Sequence, residues 1–348
     1  MTVDAISWHG DRLSLLDQRR LPDHIERLDY RNASDTASAI TDMVVRGAPA
    51  IGITAAYAVV LAYDAWLASP DANGRAQFET DLETLGQARP TAVNLGWSIS
   101  RMRSVLGARD APDPEMRDRL AREAVAIHEE DVAANRRMGE LGTALIEGGP
   151  CTVMTHCNAG ALATGGIGTA LGVVRAGFSA GRIAHVLAGE TRPWLQGARL
   201  TAFELVEEGI PVSLVADGAA SYAMAAQDVR WVIVGADRVV ANGDVANKIG
   251  TYSLAVSARH HGVKFMVVAP TSTIDMTIAE GASIPIEERA GDELIKVGDR
   301  QVAPSAASVW NPVFDVTPAT LVDALVTERG VIEQPNREKL AELMRDLA

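Results

Sequence analysis

From Cys151 to Ala269 the chain alternates short apolar runs with stretches of helical spacing, and this alternation limits the possible fold more than any other feature. The runs are Cys151–Thr155, Ile183–Ala188, Val212–Val215, Trp231–Val234 and Phe265–Ala269. Each is mostly apolar, as a strand buried on both faces is, and each leads through a small or polar turn into a helical period. Strands and helices in strict alternation specify a parallel sheet covered on both faces. Right-handed crossovers then make a doubly wound, Rossmann-like α/β domain. Ligands of such domains sit outside the carboxyl ends of the strands, so the residues just after each run are the site candidates.

The first part of the chain reads differently. Short apolar segments around Trp8, Leu13–Leu16 and Leu21, broken by His9-Gly10-Asp11 and Pro22-Asp23, predict small antiparallel strands. From Ser34 to about Glu147 the spacing is helical, with loops at 69–75 and 107–113 and one long helix expected over 116–147. A smaller, mainly helical N-terminal domain (1–130) and a Rossmann-like C-terminal domain (131–348) follow. The apolar stretch Ala50–Tyr63 is too short to span a bilayer at ~20 residues, so it reads as a buried helix.

With 32 Lys and Arg against 45 Asp and Glu, the net charge is −13, which disfavours nucleic acid and anionic membranes as general partners. The two cysteines, Cys151 and Cys157, suffice for neither a disulfide framework nor a four-ligand zinc site. The N-terminus lacks a basic start followed by an apolar run, and a cytoplasmic location is expected.

After the first strand comes His156-Cys157-Asn158-Ala159-Gly160, then a glycine-rich stretch to Gly168. Gly165 and Gly166 are phosphate-cradle candidates, because glycines let backbone amides approach an anion; glycines also serve tight helix–strand packing. With Glu190 the stretch partly resembles a dinucleotide fingerprint, but the third glycine is missing from its register. Cys157 reads either as a thiol made acidic by a helix start or as a small buried hydrophobe. Asp237 emerges after Trp231–Val234, where an apolar strand mouth would raise its pKa and suit it to proton donation; a helix cap or a pair with Arg238 is the alternative. Asn247-Lys248 precedes an apolar helix expected from Ile249, an unfavourable place for a cation unless an anion binds there. Arg46 and Arg89 stand beside Gly47 and Pro90 in loops ahead of helices, each suited to a phosphate. Gln196, in the polar turn 190–197, can donate to sugar hydroxyls.

Taken together, MVVRGAPAIGI (43–53), RPTAVNL (89–95), THCNAGALATGGIGTALGVV (155–174), ETRPWLQGARLTAFEL (190–205), GADRVVANGDVANKIGTYSLAVSARHHG (235–262) and FDVTPA (314–319) resemble the methylthioribose-1-phosphate isomerase family. That family is related to regulatory subunits of the initiation factor 2B complex. The resemblance implies aldose–ketose isomerisation of a sugar 1-phosphate in methionine salvage, by a homodimer with neither metal nor nucleotide cofactor. It implies substrate contacts from Arg46, Gly47, Ala48, Arg89, Gln196, Asn247 and Lys248, with Asp237 as proton donor and Cys157 as its catalytic partner. Where the family commonly reads Thr-Asp-Asn-Met, this chain has Ala216-Asp217-Gly218-Ala219, which leaves the C5 substituent of the sugar open. Alternatives are an isomerase of 5-deoxyribose 1-phosphate or ribose 1,5-bisphosphate, or a non-catalytic subunit of the same fold.

Overall fold

The computed structural model describes residues 4–89, 92–109 and 111–345; Pro90 and Thr91, read above beside Arg89, lie outside them. The chain opens with an antiparallel sheet of β1 (Ile6–Trp8), β2 (Leu13–Leu16) and β3 (Arg27–Tyr30). Leu21 is not on a strand. Residues 18–23 form turns, and the third strand comes from the amphipathic Arg27–Tyr30 instead.

Five helices follow: α1 (Ala33–Thr41), α2 (Ala48–Ala68), α3 (Ala72–Gln87), α4 (Val93–Leu106) and α5 (Pro114–Ala144). Asn32, Asp71 and Asp113 cap α1, α3 and α5 by accepting a first-turn amide. Helix α2 is apolar on every side because its neighbours enclose it. It is long and apolar enough to cross a membrane, yet it forms the buried centre of this helical unit. Helix α5 runs through residue 130, so the chain passes into its second half within a helix rather than a linker.

The second half continues with β4 (Cys151–Thr155), α6 (Ala170–Ser179), β5 (Ile183–Gly189), α7 (Ala202–Glu207), β6 (Val212–Val215), α8 (Ala220–Ala226) and β7 (Val229–Val234). Then come β8 (Arg238–Val240), β9 (Val245–Lys248), α9 (Thr251–His261), β10 (Lys264–Val268), β11 (Ile274–Asp275), α10 (Asp292–Ile295), β12 (Lys296–Val297) and β13 (Arg300–Gln301). The chain ends through β14 (Phe314–Thr317), β15 (Ala324–Thr327), β16 (Gly330–Glu333) and α11 (Arg337–Met344). The five expected strands form within two residues of their predicted limits. They join a sheet of order β16–β15–β10–β7–β4–β5–β6, parallel except for β16. Strand order reverses at β4 and β7, so the crevice of the doubly wound fold opens beyond Thr155 and Val234.

A second sheet, β11–β8–β9–β14, stands beyond that crevice. It corrects one expectation: Asn247-Lys248 does not open a helix but ends β9, paired antiparallel with β14 through Asn247↔Asp315 and Lys248↔Phe314. Helix α9 begins three residues later, at Thr251, after Gly250 turns the backbone into the left-handed region (φ 102°). A Cβ there would lie 2.9 Å from His156 Nε2, so only glycine fits this turn.

Candidate active site

Cys157 and Asp237 follow β4 and β7 and flank the switch point. Together with Arg46, Gly47, Ala48, His156, Asn158, Thr164, Thr169 and Asn247 they line one cavity. Cys157 is buried and holds a left-handed backbone, φ 60°, which is strained for a residue with a side chain. Two hydroxyls hold it there. Its N–H donates to Thr191 Oγ1 at 2.9 Å, and its carbonyl accepts from Thr201 Oγ1 at 2.6 Å. Behind Thr191, the Asp217 carboxylate accepts the amides of Thr191 and Arg192 at 2.8 and 2.7 Å. The buried His156 ring bonds the Ile249 carbonyl at 2.8 Å, tying the turn after β4 to the start of α9.

Arg46 is held from one side. Its guanidinium donates to Asn158 Oδ1 at 2.7 Å and to the Asn158 carbonyl at 2.9 Å. The Asn158 amide donates in turn to Glu204, which is fully buried and paired with Arg175 at 2.8 Å. A buried carboxylate satisfied by Asn158, the Ala161 amide and Arg175 is a rigid backstop. Gly47 caps α2 at φ 93°, and a Cβ on it would come within 2.5 Å of Ala163 Cβ. No side chain caps this helix start, so its first amides and the positive end of a 21-residue helix face the cavity beside Arg46.

Burial pushes the Asp237 carboxyl above its ordinary value, while Lys248, Arg46 and Arg89 pull it back. Burial pulls the Lys248 ammonium down to about 8, against the attraction of Cys157 and Asp237. Lys248 Nζ rests 4.2 Å from the Phe314 ring centre. Asn247 donates to Thr251 Oγ1 at 3.1 Å.

A second cavity shares Gly47, Ala48 and Asp237 with the first and continues past them. Its walls are largely apolar, with Ile51, Ala92, Ala246, Ile284, Pro285, Ile286 and Phe314, and Arg89 stands among them.

The structure therefore gathers Arg46, Gly47, Ala48, Cys157, Asp237 and Asn247 around one cavity, brings Lys248 into electrostatic contact with Cys157 and Asp237, and sets Arg89 on the neighbouring wall. Gln196 is buried just before the π-helical turn Gly197–Thr201; it lines neither cavity, and its Oε1 has no hydrogen-bond partner among the described residues. Gly165 and Gly166 are not brought to the site. The Gly165 amide donates to the half-buried Asp131 at 2.7 Å and the Gly166 amide to Thr164 Oγ1 at 3.3 Å, so both serve the protein instead of an anion. Glu190 lines neither cavity. The sequence reading missed Asn158, Thr191, Thr201, Glu204 and the supporting role of Asp217.

A doubly wound sheet with a cysteine and an aspartate at its switch point, closed by a helical unit that supplies arginines, defines the class. The chain matches the initiation factor 2 subunit family over residues 44–334 and belongs to that family. Within it, the chain is 58% identical over 344 residues to the methylthioribose-1-phosphate isomerase of Thioalkalivibrio sulfidiphilus, covering 99% of this chain and 97% of that one. It is 61% identical over 331 residues to the protein of the same name from Alkalilimnicola ehrlichii, covering 95% and 94%. Among solved structures, 5-methylthioribose 1-phosphate isomerase from Pyrococcus horikoshii superposes with a TM-score of 0.91 at 41% identity, covering 99% of this chain and 96% of that one. A chain from A. fulgidus described as translation initiation factor eIF-2B, subunit delta, superposes with a TM-score of 0.84 at 43% identity, covering 98% and 100%.

Proposed function

We propose that the chain converts 5-methylthioribose 1-phosphate into 5-methylthioribulose 1-phosphate, the aldose–ketose isomerisation of methionine salvage. The observation that carries this reading is the placement of Cys157 and Asp237 on either side of the switch point, with Asp237 where the first cavity joins the apolar one.

The phosphate is assigned to the uncapped start of α2, with Arg46 and the Gly47–Ala48 backbone, and with Lys248 as a second cation. A phosphate on the anomeric carbon prevents spontaneous ring opening, so the enzyme must protonate the ring oxygen. Asp237, protonated to higher pH than an ordinary aspartate, is the acid. As the C1–O4 bond breaks, its electrons go to O4, which takes the Asp237 proton. Cys157 as thiolate then removes the C2 proton, and the C2–H electrons form the C1–C2 double bond. The C2 hydroxyl returns a proton to Asp237 as it becomes a ketone, and the double-bond electrons take the proton from Cys157 at C1. Both residues end as they began. The adjacent Lys248 ammonium stabilises the thiolate and the substrate phosphate.

The C5 substituent is assigned to the apolar cavity. A methylthio group buries its surface against Ile284, Pro285, Ile286 and Phe314, an apolar gain that a hydroxyl does not make. The substitutions at Ala216, Gly218 and Ala219 lie elsewhere: this segment lines neither cavity, and Asp217 supports the Thr191 turn. A phosphorus and proton NMR time course tests the whole reading. Fast conversion of 5-methylthioribose 1-phosphate is expected, with slower conversion of ribose 1-phosphate. No turnover of the methylthio sugar would defeat it.

The same reading includes a cytoplasmic homodimer. Strand β6 is the free edge of the large sheet, and Val206, Leu214 and Tyr222 around it are 63%, 52% and 78% exposed. Apolar side chains beside an open strand edge suit a second copy of the chain. Light scattering is expected to give twice the chain mass, and Leu214→Lys to shift it toward one; a monomeric parent protein would contradict the assignment.

A further inference from the structure

At the far end of the apolar cavity three charged side chains meet. Arg89, from the loop after α3, lies 3.8 Å from Glu287 Oε2, and Arg289 Nε lies 2.6 Å from Glu287 Oε1. One carboxylate thus bridges a guanidinium of the helical unit and a guanidinium of its own segment. That segment is fixed on both sides. The Val313 amide donates to the Glu287 carbonyl at 3.0 Å, the Arg289 amide donates to the Asn311 carbonyl at 3.0 Å, and the Arg289 guanidinium reaches Met43 Sδ at 3.5 Å. Ile284, Pro285 and Ile286, directly before Glu287, form a wall of the cavity, and Arg89 stands in the same wall. The carboxylate therefore sits at the rim of the pocket assigned above to C5.

We infer that Glu287 is a specificity-determining residue, which denies this pocket to pentose 1-phosphates carrying a second anionic group at C5. The inference rests on the assignment of C5 to the apolar cavity. The two arginines alone would form a strong anion site, since paired guanidiniums bind phosphate through directed hydrogen bonds. Glu287 occupies both of them. Its charge is firmly held: the Arg289 and Arg89 cations keep its carboxyl below the ordinary value despite burial. A C5 phosphate entering here would meet a fixed carboxylate and arginines already paired, in a half-buried setting that screens the repulsion less than bulk water does. A neutral thioether meets no such obstacle. Its apolar contacts lie with the isoleucines and Phe314, and the charged trio stays intact beyond it. The trio keeps the pocket closed to anions without making its walls polar.

The test compares 5-methylthioribose 1-phosphate with ribose 1,5-bisphosphate on the intact enzyme and on Glu287→Gln, which keeps the side-chain size. Glu287→Gln is expected to raise the ratio of kcat/KM for the bisphosphate over the methylthio sugar by about tenfold or more, one RT ln 10 step of discrimination. Glu287→Asp is expected to restore most of the original ratio. A purely structural role would lower both substrates together, and an unchanged ratio would overturn the inference. A second measurement needs no variant: ribose 1,5-bisphosphate should inhibit the parent enzyme at least about tenfold more weakly than 5-deoxyribose 1-phosphate, again one such step. Equal inhibition would also overturn it. If the parent enzyme failed to turn over the methylthio sugar, the isomerase reading itself would fall. Turnover with an unshifted ratio would sink only the role of Glu287.

Discussion

Asp237→Asn lowers kcat by roughly a hundred- to ten-thousandfold, the range that one positioned acid supplies. Asparagine can donate a hydrogen bond to the ring oxygen but cannot give it a proton, so the C1–O4 bond loses its route to cleavage. KM changes little, because phosphate and C5 contacts are untouched. The fold does not suffer. Burial holds the native Asp237 pKa above its unfolded value, so the native state binds more protons between the two values and stability falls as pH rises through that interval. An uncharged asparagine removes this cost, and Tm at pH 8 is expected to stay level or rise. In the parent enzyme kcat falls as pH passes the raised pKa, because the acid form is then lost. Along the same profile KM rises above about pH 8, where the Lys248 ammonium loses its charge. Near-normal turnover by the Asn variant, or a pH profile of the same shape, would remove Asp237 from the acid role.

Much of this site is legible in the sequence because of one physical circumstance. Strands buried on both faces are mostly apolar, and the residues just after the run stand where the fold binds its ligands. Asp237 is the first charged residue after one such run, and Cys157 stands two residues beyond the end of another, after His156. Arg46 was readable for a different reason, the glycine beside it: the positive φ of Gly47 and its contact with Ala163 belong to a chain that must pass close to another segment. The small sheet was harder. Strands of two to four residues carry almost no period, although Asn242-Gly243 is a hairpin signal that would have placed Asn247 and Lys248 on a strand.

What stayed hidden depends on partners far along the chain. Asn158 grips Arg46 from 112 residues away, and Glu204 reaches Asn158 across 46. Nothing local distinguishes Glu204 from any glutamate on a helix. Gly165 and Gly166 show the reverse problem. A glycine amide freed for close approach serves an anion or a neighbouring carboxylate equally well, and here the half-buried Asp131 takes one of them. Pattern identifies where the backbone can come close, and only the packed neighbours decide what it meets.

Cys157→Ser is expected to cut kcat by a factor on the order of a thousand while KM stays within a few-fold, since a serine hydroxyl has too high a pKa to act as the base that a thiolate provides. The strained backbone argues for a demanding role. Thr191 and Thr201 each give a hydroxyl contact to the backbone of this one residue, held at φ 60°, and its thiol is close enough to Lys248 to act on that ammonium. A cysteine kept merely as a small apolar filler needs none of this. Substrate deuterated at C2 separates the two ways a hydrogen can reach C1. If Cys157 carries a proton, it exchanges with solvent while the thiol is protonated, and the deuterium at C1 of the ketose is diluted. Full retention at C1 in the parent enzyme, together with a mild effect of Cys157→Ser, would instead point to direct hydride transfer, with Cys157 reduced to stabilising charge. In that case Cys157→Ser would cost far less than the expected factor, so the isotope and the variant must agree.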